Sequence, residues 1–189
     1  MLIIVSAPSG SGKTTIVNKI QGKMTDLRRS VSYTTRPPRE GETQGEDYLF
    51  ISKDAFEIKI KKGDFVEWER IFDNYYGTAK EQIEKALLSG EDIILSIDVK
   101  GARAVRKEFP NSISVFVMPP SIEELASRLR KRNTEGEKQL ALRLDESKKE
   151  IEAADEFDYM IINDDLDRAV DEMKEIISME RSKNREKKV

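Results

Sequence analysis

The sequence predicts an α/β fold, a parallel sheet covered on both faces by helices, with a small α+β unit inserted into it. Three observations carry that prediction. Apolar runs of strand length, at Leu2 to Val5, Asp92 to Ile97, Ile113 to Met118 and Tyr159 to Ile162, alternate with segments of helical period, as strand–helix–strand crossovers require. The first run passes through a small-residue loop directly into Lys13-Thr14-Thr15 and a helix. Between about residues 32 and 78 the alternation gives way to short strands around one short helix, which sets that span apart.

The loop Ala7-Pro8-Ser9-Gly10-Ser11-Gly12-Lys13-Thr14 fits the phosphate-cradle pattern G-x-x-x-x-G-K-[ST], except that Ala7 stands where the first glycine belongs. Backbone N–H groups of such a loop converge on an anion, and the helix behind it adds its positive end. Lys13 is then expected to reach the β- and γ-phosphates and the Thr14 hydroxyl to ligate Mg²⁺. Alanine keeps the loop small but tolerates positive φ less well than glycine, so position 7 is expected in an ordinary backbone region.

Ile16, Val17 and Ile20 put one face of the following helix inward, with Gly22 as a stop signal. The segment from Ser30 to Gly41 begins as a short strand and turns into a polar loop carrying Arg36, Pro37, Pro38, Arg39 and Gly41. Two planar anion readers on a proline-stiffened loop argue for function. Next come a strand at Tyr48 to Ile51, a helix at Asp54 to Lys62, a strand at Phe65 to Phe72 and a turn at Asp73-Asn74. Trp68, on the opposite strand face from Glu67, is assigned to the core. Helices follow at Ala79 to Leu88 and Val99 to Phe109. Ser121 caps another, which carries Leu125 and Leu129 inward, and Glu124 is placed to complete a capping box. Thr134 to Gly136 breaks the pattern before a charged helix from about Glu137 to Ala154. Leu166 to Met179 is a last amphipathic helix, and the charged residues from Arg181 to Val189 are expected to fray.

Composition narrows the function classes. At 189 residues the chain fits one core with small insertions. It has no cysteine and no histidine, so disulfides, thiolate metal sites and the commonest general base are absent, and any catalytic metal must sit among oxygen ligands. A net charge of −3 lacks the basic excess of a nucleic-acid binder. No stretch has the length of a signal h-region or a membrane span, which points to a cytoplasmic protein. Ligands are expected at the carboxyl ends of the strands, where the phosphate loop, Asp98 and Asn163-Asp164 fall.

Several separated motifs complete the picture: Ser6 to Lys13, Ser32-Tyr33-Thr34-Thr35-Arg36-Pro37-Pro38-Arg39, Gly45-Glu46-Asp47-Tyr48, Phe65-Val66-Glu67-Trp68, Asn74-Tyr75-Tyr76-Gly77-Thr78 and Asn163-Asp164-Asp165-Leu166. With these the chain resembles the guanylate kinase family along nearly its whole length, and Arg128 to Glu135 resembles that family's lid. The resemblance implies a P-loop NTPase-type sheet with a core at 1–31, 79–130 and 145–189, a GMP-binding subdomain at 32–78 and a lid at 131–144. It implies ATP-dependent, Mg²⁺-assisted phosphorylation of GMP, and of dGMP, to GDP. ATP and GMP would be the partners of a monomer or small homo-oligomer, with neither nucleic acid nor membrane involved.

Residue by residue, the resemblance implies that Ala7 through Thr15 and, near the adenine, Asn163 with Asp164 bind ATP. Arg36, Arg39, Tyr48 and Tyr76 would hold the acceptor phosphate. Glu67 would accept from guanine N1–H and the N2 amino group, with Ser32 and Thr78 toward O6 and with Gly77 and Asp98 beside them. Lys13, Arg39, Arg132 and Arg143 would close around the transferring group. A nucleoside monophosphate is already largely dianionic at neutral pH, its second pKa being about 6, so the missing histidine removes nothing the transfer needs.

By themselves Glu67 and Glu69 read as a solvated strand face, Arg128 to Arg132 as a solvated helix face, and Tyr48 and Tyr76 as half-buried aromatics. A scaffold domain of the same fold that binds phosphopeptides is the competing class. Lys13-Thr14 and the lid arginines argue against it, as Glu67, Ser32 and Thr78 argue against another monophosphate. One position departs from the family's pattern: in Leu95-Ser96-Ile97-Asp98, Ser96 stands where a first acidic residue is usual.

Overall fold

A computed structural model describes residues 1–132 and 137–186, with side chains at 1–131 and 140–186. Its main sheet has the order β2-β7-β1-β8-β9, built from β1 (Leu2–Ser6), β2 (Leu27–Arg29), β7 (Asp92–Ser96), β8 (Ile113–Met118) and β9 (Tyr159–Ile162), and each pairing is parallel. All five residues of β1 are buried, the pattern of a strand covered on both faces. Ile3 and Val5 face a core shared with α1 (Lys13–Lys23) and α7 (Leu166–Glu186), through Ile16, Val17, Ile20, Val170 and Met173. Leu2 and Ile4 face the other way, onto α3 (Lys80–Leu88) and α4 (Val99–Glu108), through Ile83, Ala86, Ala102 and Val105. Alternation along one strand therefore builds both layers.

The inserted unit is a four-stranded mixed sheet of order β4-β3-β6-β5, from β3 (Tyr33–Thr34), β4 (Leu49–Phe50), β5 (Phe65–Ile71) and β6 (Asn74–Ala79). On one face α2 (Lys53–Lys62) buries Phe56 against Phe65, Ala79 and Tyr75. The Ser52 hydroxyl caps α2 by accepting from the Ala55 N–H at 3.2 Å, and Gly63 ends it at φ 71°. Val66 belongs to the core cluster of α3 and α4, so β5 ties this sheet to the main body.

Four expectations need correction. Residues 74–79 form β6, a full strand paired with both β3 and β5, and the hairpin loop is Phe72-Asp73. Its tyrosines lie on alternate sheet faces, so no one-sided apolar pattern marks the strand. The strand expected to begin at Ser30 begins only at Tyr33, as β3, while a separate strand, β2, ends just before it at Arg29. Trp68 is 45% exposed rather than core, because β5 runs beyond the cover that α2 supplies. The region expected to fray is helical to Glu186, held by Arg181, which pairs with Asp26 at 2.9 Å and Asp92 at 2.5 Å. The last cap is half of what was expected: Ser121 accepts the Glu124 N–H at 3.1 Å, but the Glu124 carboxylate pairs with Arg128 instead of reaching back.

Candidate active site

The phosphate loop leaves β1 and enters α1 at Gly12, whose φ of 92° only glycine adopts without strain. Close approach adds a second reason, since a Cβ on Gly12 would stand 2.3 Å from the Asn163 side-chain nitrogen. Asn163 is buried, and its Nδ2 donates to the Ser11 carbonyl at 2.7 Å. The structure thus places Asn163 as an anchor of the loop backbone. Asp164 beside it is exposed, accepts the Asp165 N–H and pairs with Arg168. Ala7 is buried with an ordinary φ, as its side chain requires. No side chain caps the start of α1, where Thr14 and Thr15 are exposed in the first turn, so that end is open to an anion.

Lys13 donates from Nζ to the Ile97 carbonyl at 2.5 Å, at the carboxyl end of β7. Burial lowers its pKa, and the carboxylates of Asp98, Glu150 and Glu67 pull the other way. From α6 (Glu137–Glu152), Arg143 Nη2 donates to the Ser9 hydroxyl at 2.9 Å. The side chain of Arg132, together with Asn133 to Gly136, lies outside the described residues.

Across the crevice, β5 and β6 carry Glu67, Tyr76 and Thr78 on one sheet face, and Glu67 reaches the head of α4 at Gly101. Thr78 Oγ1 donates to Glu67 Oε1 at 2.5 Å, and the two residues are register partners. Burial pushes the Glu67 carboxyl up to about 7, against the opposing pull of the Thr78 hydrogen bond. Asp98 caps α4 by accepting the Gly101 N–H at 2.7 Å. A Cβ on Gly101 would stand 3.3 Å from both Asp98 Oδ1 and Glu67 Oε2. Bare backbone there is what lets two carboxylates share the head of one helix. Gly77 is buried between Phe56 and Trp68, behind Thr78 and on the far face. Ser32 is half-buried, and its carbonyl accepts the Leu49 N–H at 2.9 Å.

The arginine loop is organised by an acid that the sequence reading passed over. Glu42 accepts from Arg36 Nη2 at 2.7 Å and from the Arg39 N–H at 2.7 Å. Arg36 also donates to the Pro37 carbonyl at 2.7 Å, and its guanidinium lies 5.5 Å from the Tyr48 ring centre. The Glu42 hydrogen bond raises the Arg36 pKa further, with Tyr76 a lesser contributor. Tyr48 and Tyr76 meet edge to face at 6.0 Å, and burial raises the Tyr48 pKa. Arg39 is exposed at the rim.

A family model described as guanylate kinase matches residues 1–180. The chain belongs to the guanylate kinase family. Two relatives named guanylate kinase support this, from Caldanaerobacter subterraneus subsp. tengcongensis (42% identical, covering 96% of this chain and 88% of the relative) and Symbiobacterium thermophilum (46%, covering 97% and 87%). The crystal structure of guanylate kinase from Anaplasma phagocytophilum superposes with a TM-score of 0.77 at 30% identity, covering 95% of this chain and 85% of that one.

In this guanylate kinase fold the phosphate loop, Asp98 and Asn163 stand at the carboxyl ends of parallel strands, and Glu67, Tyr76 and Thr78 face them from the antiparallel pair of the inserted sheet. A separate cavity of about 780 Å³ opens at the amino ends, among Met1, Asp92, Phe109 and Arg181, far from these groups. The residues that sequence reasoning missed are Glu42, which binds Arg36 and Arg39 within its own loop, and Gly101, whose close contact with Glu67 spans a long stretch of chain. Only Gly101 left a trace, a glycine three residues after a capping aspartate.

Proposed function

We propose that this chain transfers the γ-phosphoryl group of ATP to GMP, and to dGMP, giving ADP and GDP. The observation that carries the reading is the Glu67–Thr78 pair, a half-buried carboxylate that is held by a hydroxyl, reaches the head of α4 with its second oxygen and has its charge felt by the phosphate-loop lysine. A carboxylate with two acceptor oxygens matches the N1–H and N2 amino donors of guanine, a pair that adenine lacks on that edge. Arg36, Tyr48 and Tyr76, with Arg39 at the rim, supply donors for a phosphate dianion and fix its orientation. Residues 32–78 would form the acceptor subdomain and 131–144 a lid that brings Arg132 and Arg143 inward, both closing on a core at 1–31, 79–130 and 145–189.

In the transfer, a GMP phosphate oxygen forms the new bond to the γ-phosphorus as the bond to the ADP oxygen breaks. No proton need move, because the acceptor is already ionised. The protein's part is positioning and charge, with Lys13 and the arginines offsetting the negative oxygens. Asn163 would keep the loop's shape under the nucleotide, with Asp164 near it.

The donor set fits Mg²⁺. Thr14 offers an exposed hydroxyl, and among the described residues no three of His, Cys, Asp and Glu gather into a metal site. A hard cation held chiefly by phosphate oxygens and water, with one protein hydroxyl, needs no more. Bound there with ATP, the metal would neutralise phosphate charge. Among the described residues no helix is long and apolar enough to cross a membrane, and we place the activity in the cytoplasm.

A coupled assay of ADP formation tests the reading with GMP, AMP, UMP and CMP offered in parallel. Turnover is expected with GMP far above the others. Equal or better turnover with another monophosphate would overturn it.

A further inference from the structure

The chain passes from the main sheet to the inserted one through a single residue. The Ser30 N–H donates to the Ile94 carbonyl of β7 at 3.0 Å, and the Ser32 carbonyl accepts the Leu49 N–H of β4 at 2.9 Å, so Val31 alone spans the two sheets. Val31 belongs to no strand, and a side chain takes up its backbone groups. Gln82 Oε1 accepts the Val31 N–H at 2.9 Å, and Gln82 Nε2 donates to the Val31 carbonyl at 2.8 Å. The same oxygen accepts the Ser30 hydroxyl at 3.3 Å. Gln82 stands in the first turn of α3, where the chain returns from the inserted sheet: Ala79, at the end of β6, is buried in the core of the inserted unit, and Ile83 in the main core. One side chain thus joins the outgoing passage to the returning one.

A backbone bends at one residue through φ and ψ alone, and these two angles set how the peptide plane before it meets the plane after it. The Val31 N–H lies in the first plane and the Val31 carbonyl in the second. A glutamine amide bonded to both holds the two planes as a neighbouring strand would, one donor and one acceptor matched to one acceptor and one donor. We propose that Gln82 is a positioning residue for the acceptor nucleotide: by locking Val31 it fixes the angle at which the inserted sheet, with Ser32 at its threshold, faces the phosphate loop. The inference rests on the reading of that sheet as the GMP site. Ser32 follows the second plane directly, and the chain continues into β3, which pairs with β6, the strand that carries Tyr76 and Thr78. Slack at Val31 therefore reaches Ser32, Tyr76 and Thr78 together, while the phosphate loop at the end of β1 keeps its place. A nucleotide that must first order its own site binds more weakly.

Steady-state kinetics of the wild type, Gln82→Met and Gln82→Glu, at about pH 8 where a glutamate carboxyl is ionised, test the proposal. Methionine keeps the length of the side chain and makes neither bond to Val31; glutamate keeps the bond from the N–H and loses the one to the carbonyl. Gln82→Met is expected to raise the GMP KM about tenfold while the ATP KM stays within about twofold. Gln82→Glu is expected to raise the GMP KM several-fold with the same indifference to ATP. A wild-type GMP KM in folded Gln82→Met, or a parallel rise in the KM of both substrates, would overturn the proposal. If Gln82→Met does not fold, Gln82→Glu decides alone by the same split, after its melting curve is checked. Failure of the wild type to turn over GMP would instead overturn the reading of the inserted sheet as the acceptor site, and the inference with it.

Discussion

Thr78 donates its hydroxyl to Glu67 Oε1 at 2.5 Å from the register position directly opposite on the neighbouring strand. A carboxylate is thereby kept in a half-buried place with one partner of its own and a second oxygen turned toward the head of α4. The arrangement is costly for the empty protein and useful for a ligand with two donors.

Burial moves the Glu67 carboxyl from 4.5 up to about 7. The folded chain then holds this proton more tightly than the unfolded chain, so the stability it contributes is full below the unfolded value and is lost as pH climbs through the folded one. The melting temperature of the free protein should fall between about pH 5 and about pH 8, with a smaller fall in Glu67→Gln. In the proposed site guanine pairs with the ionised carboxylate, so GMP binding at about pH 6.5 should release a proton. Calorimetry in buffers of different ionisation enthalpy measures that release, and identical binding enthalpies in all of them would count against it.

Lys13→Ala should abolish turnover while preserving the fold, because the proposed role of the lysine is to stabilise charge that develops during transfer. Losing a partly desolvated ammonium should leave the melting temperature unchanged or higher. Retention of more than about a tenth of wild-type kcat, a loss of only ~1.4 kcal/mol, would remove Lys13 from the catalytic set.

Gly101→Ala adds a Cβ 3.3 Å from Glu67 Oε2 and from Asp98 Oδ1. Helix propensity favours alanine by about 1 kcal/mol, so stability should hold or rise. The shifted carboxylate should nonetheless raise the GMP KM several-fold with little change in the ATP KM. An unaltered GMP KM would mean that Glu67 tolerates displacement and that the tight fit around Gly101 serves packing only.

Ser96 is half-buried at the end of β7, paired with Val5 just before the phosphate loop. Ser96→Asp is expected to lower the Mg²⁺ concentration for half-maximal activity while changing kcat at saturating metal by less than about tenfold, or ~1.4 kcal/mol. A magnesium titration of both proteins at fixed ATP and GMP checks this. Coincident half-saturation points would make the serine a packing choice.

The phosphate loop was readable because its chemistry is contiguous: Gly10, Gly12, Lys13 and Thr14 act through adjacent backbone. The parallel sheet was readable because its strands are apolar on both faces. Asn74 to Ala79 concealed its strand because Tyr75 and Tyr76 lie on opposite faces of the sheet, and Trp68 is exposed because β5 runs past the cover that α2 supplies. What Asn163 and Gly101 do depends on partners brought close by folding, whereas Glu42 acts within its own loop, on Arg36 and Arg39. Asn163 reaches Ser11, 152 positions away. The resemblance to a known family supplied Glu67 as a candidate, whereas the residue's own neighbours in sequence read as solvated strand.

The most direct test of the central claim, that Glu67 selects guanine beside the phosphate loop, is the ratio of kcat/KM for GMP to that for AMP in the wild type and in Glu67→Gln. An amide offers one acceptor oxygen to two guanine donors, and a mismatch in a site built for that pairing costs several kcal/mol, on the order of a buried unsatisfied group. The ratio is expected to fall at least about a hundredfold, or ~2.7 kcal/mol, mainly through lost GMP activity. A ratio unchanged by the substitution, in a protein that melts normally, would contradict the account.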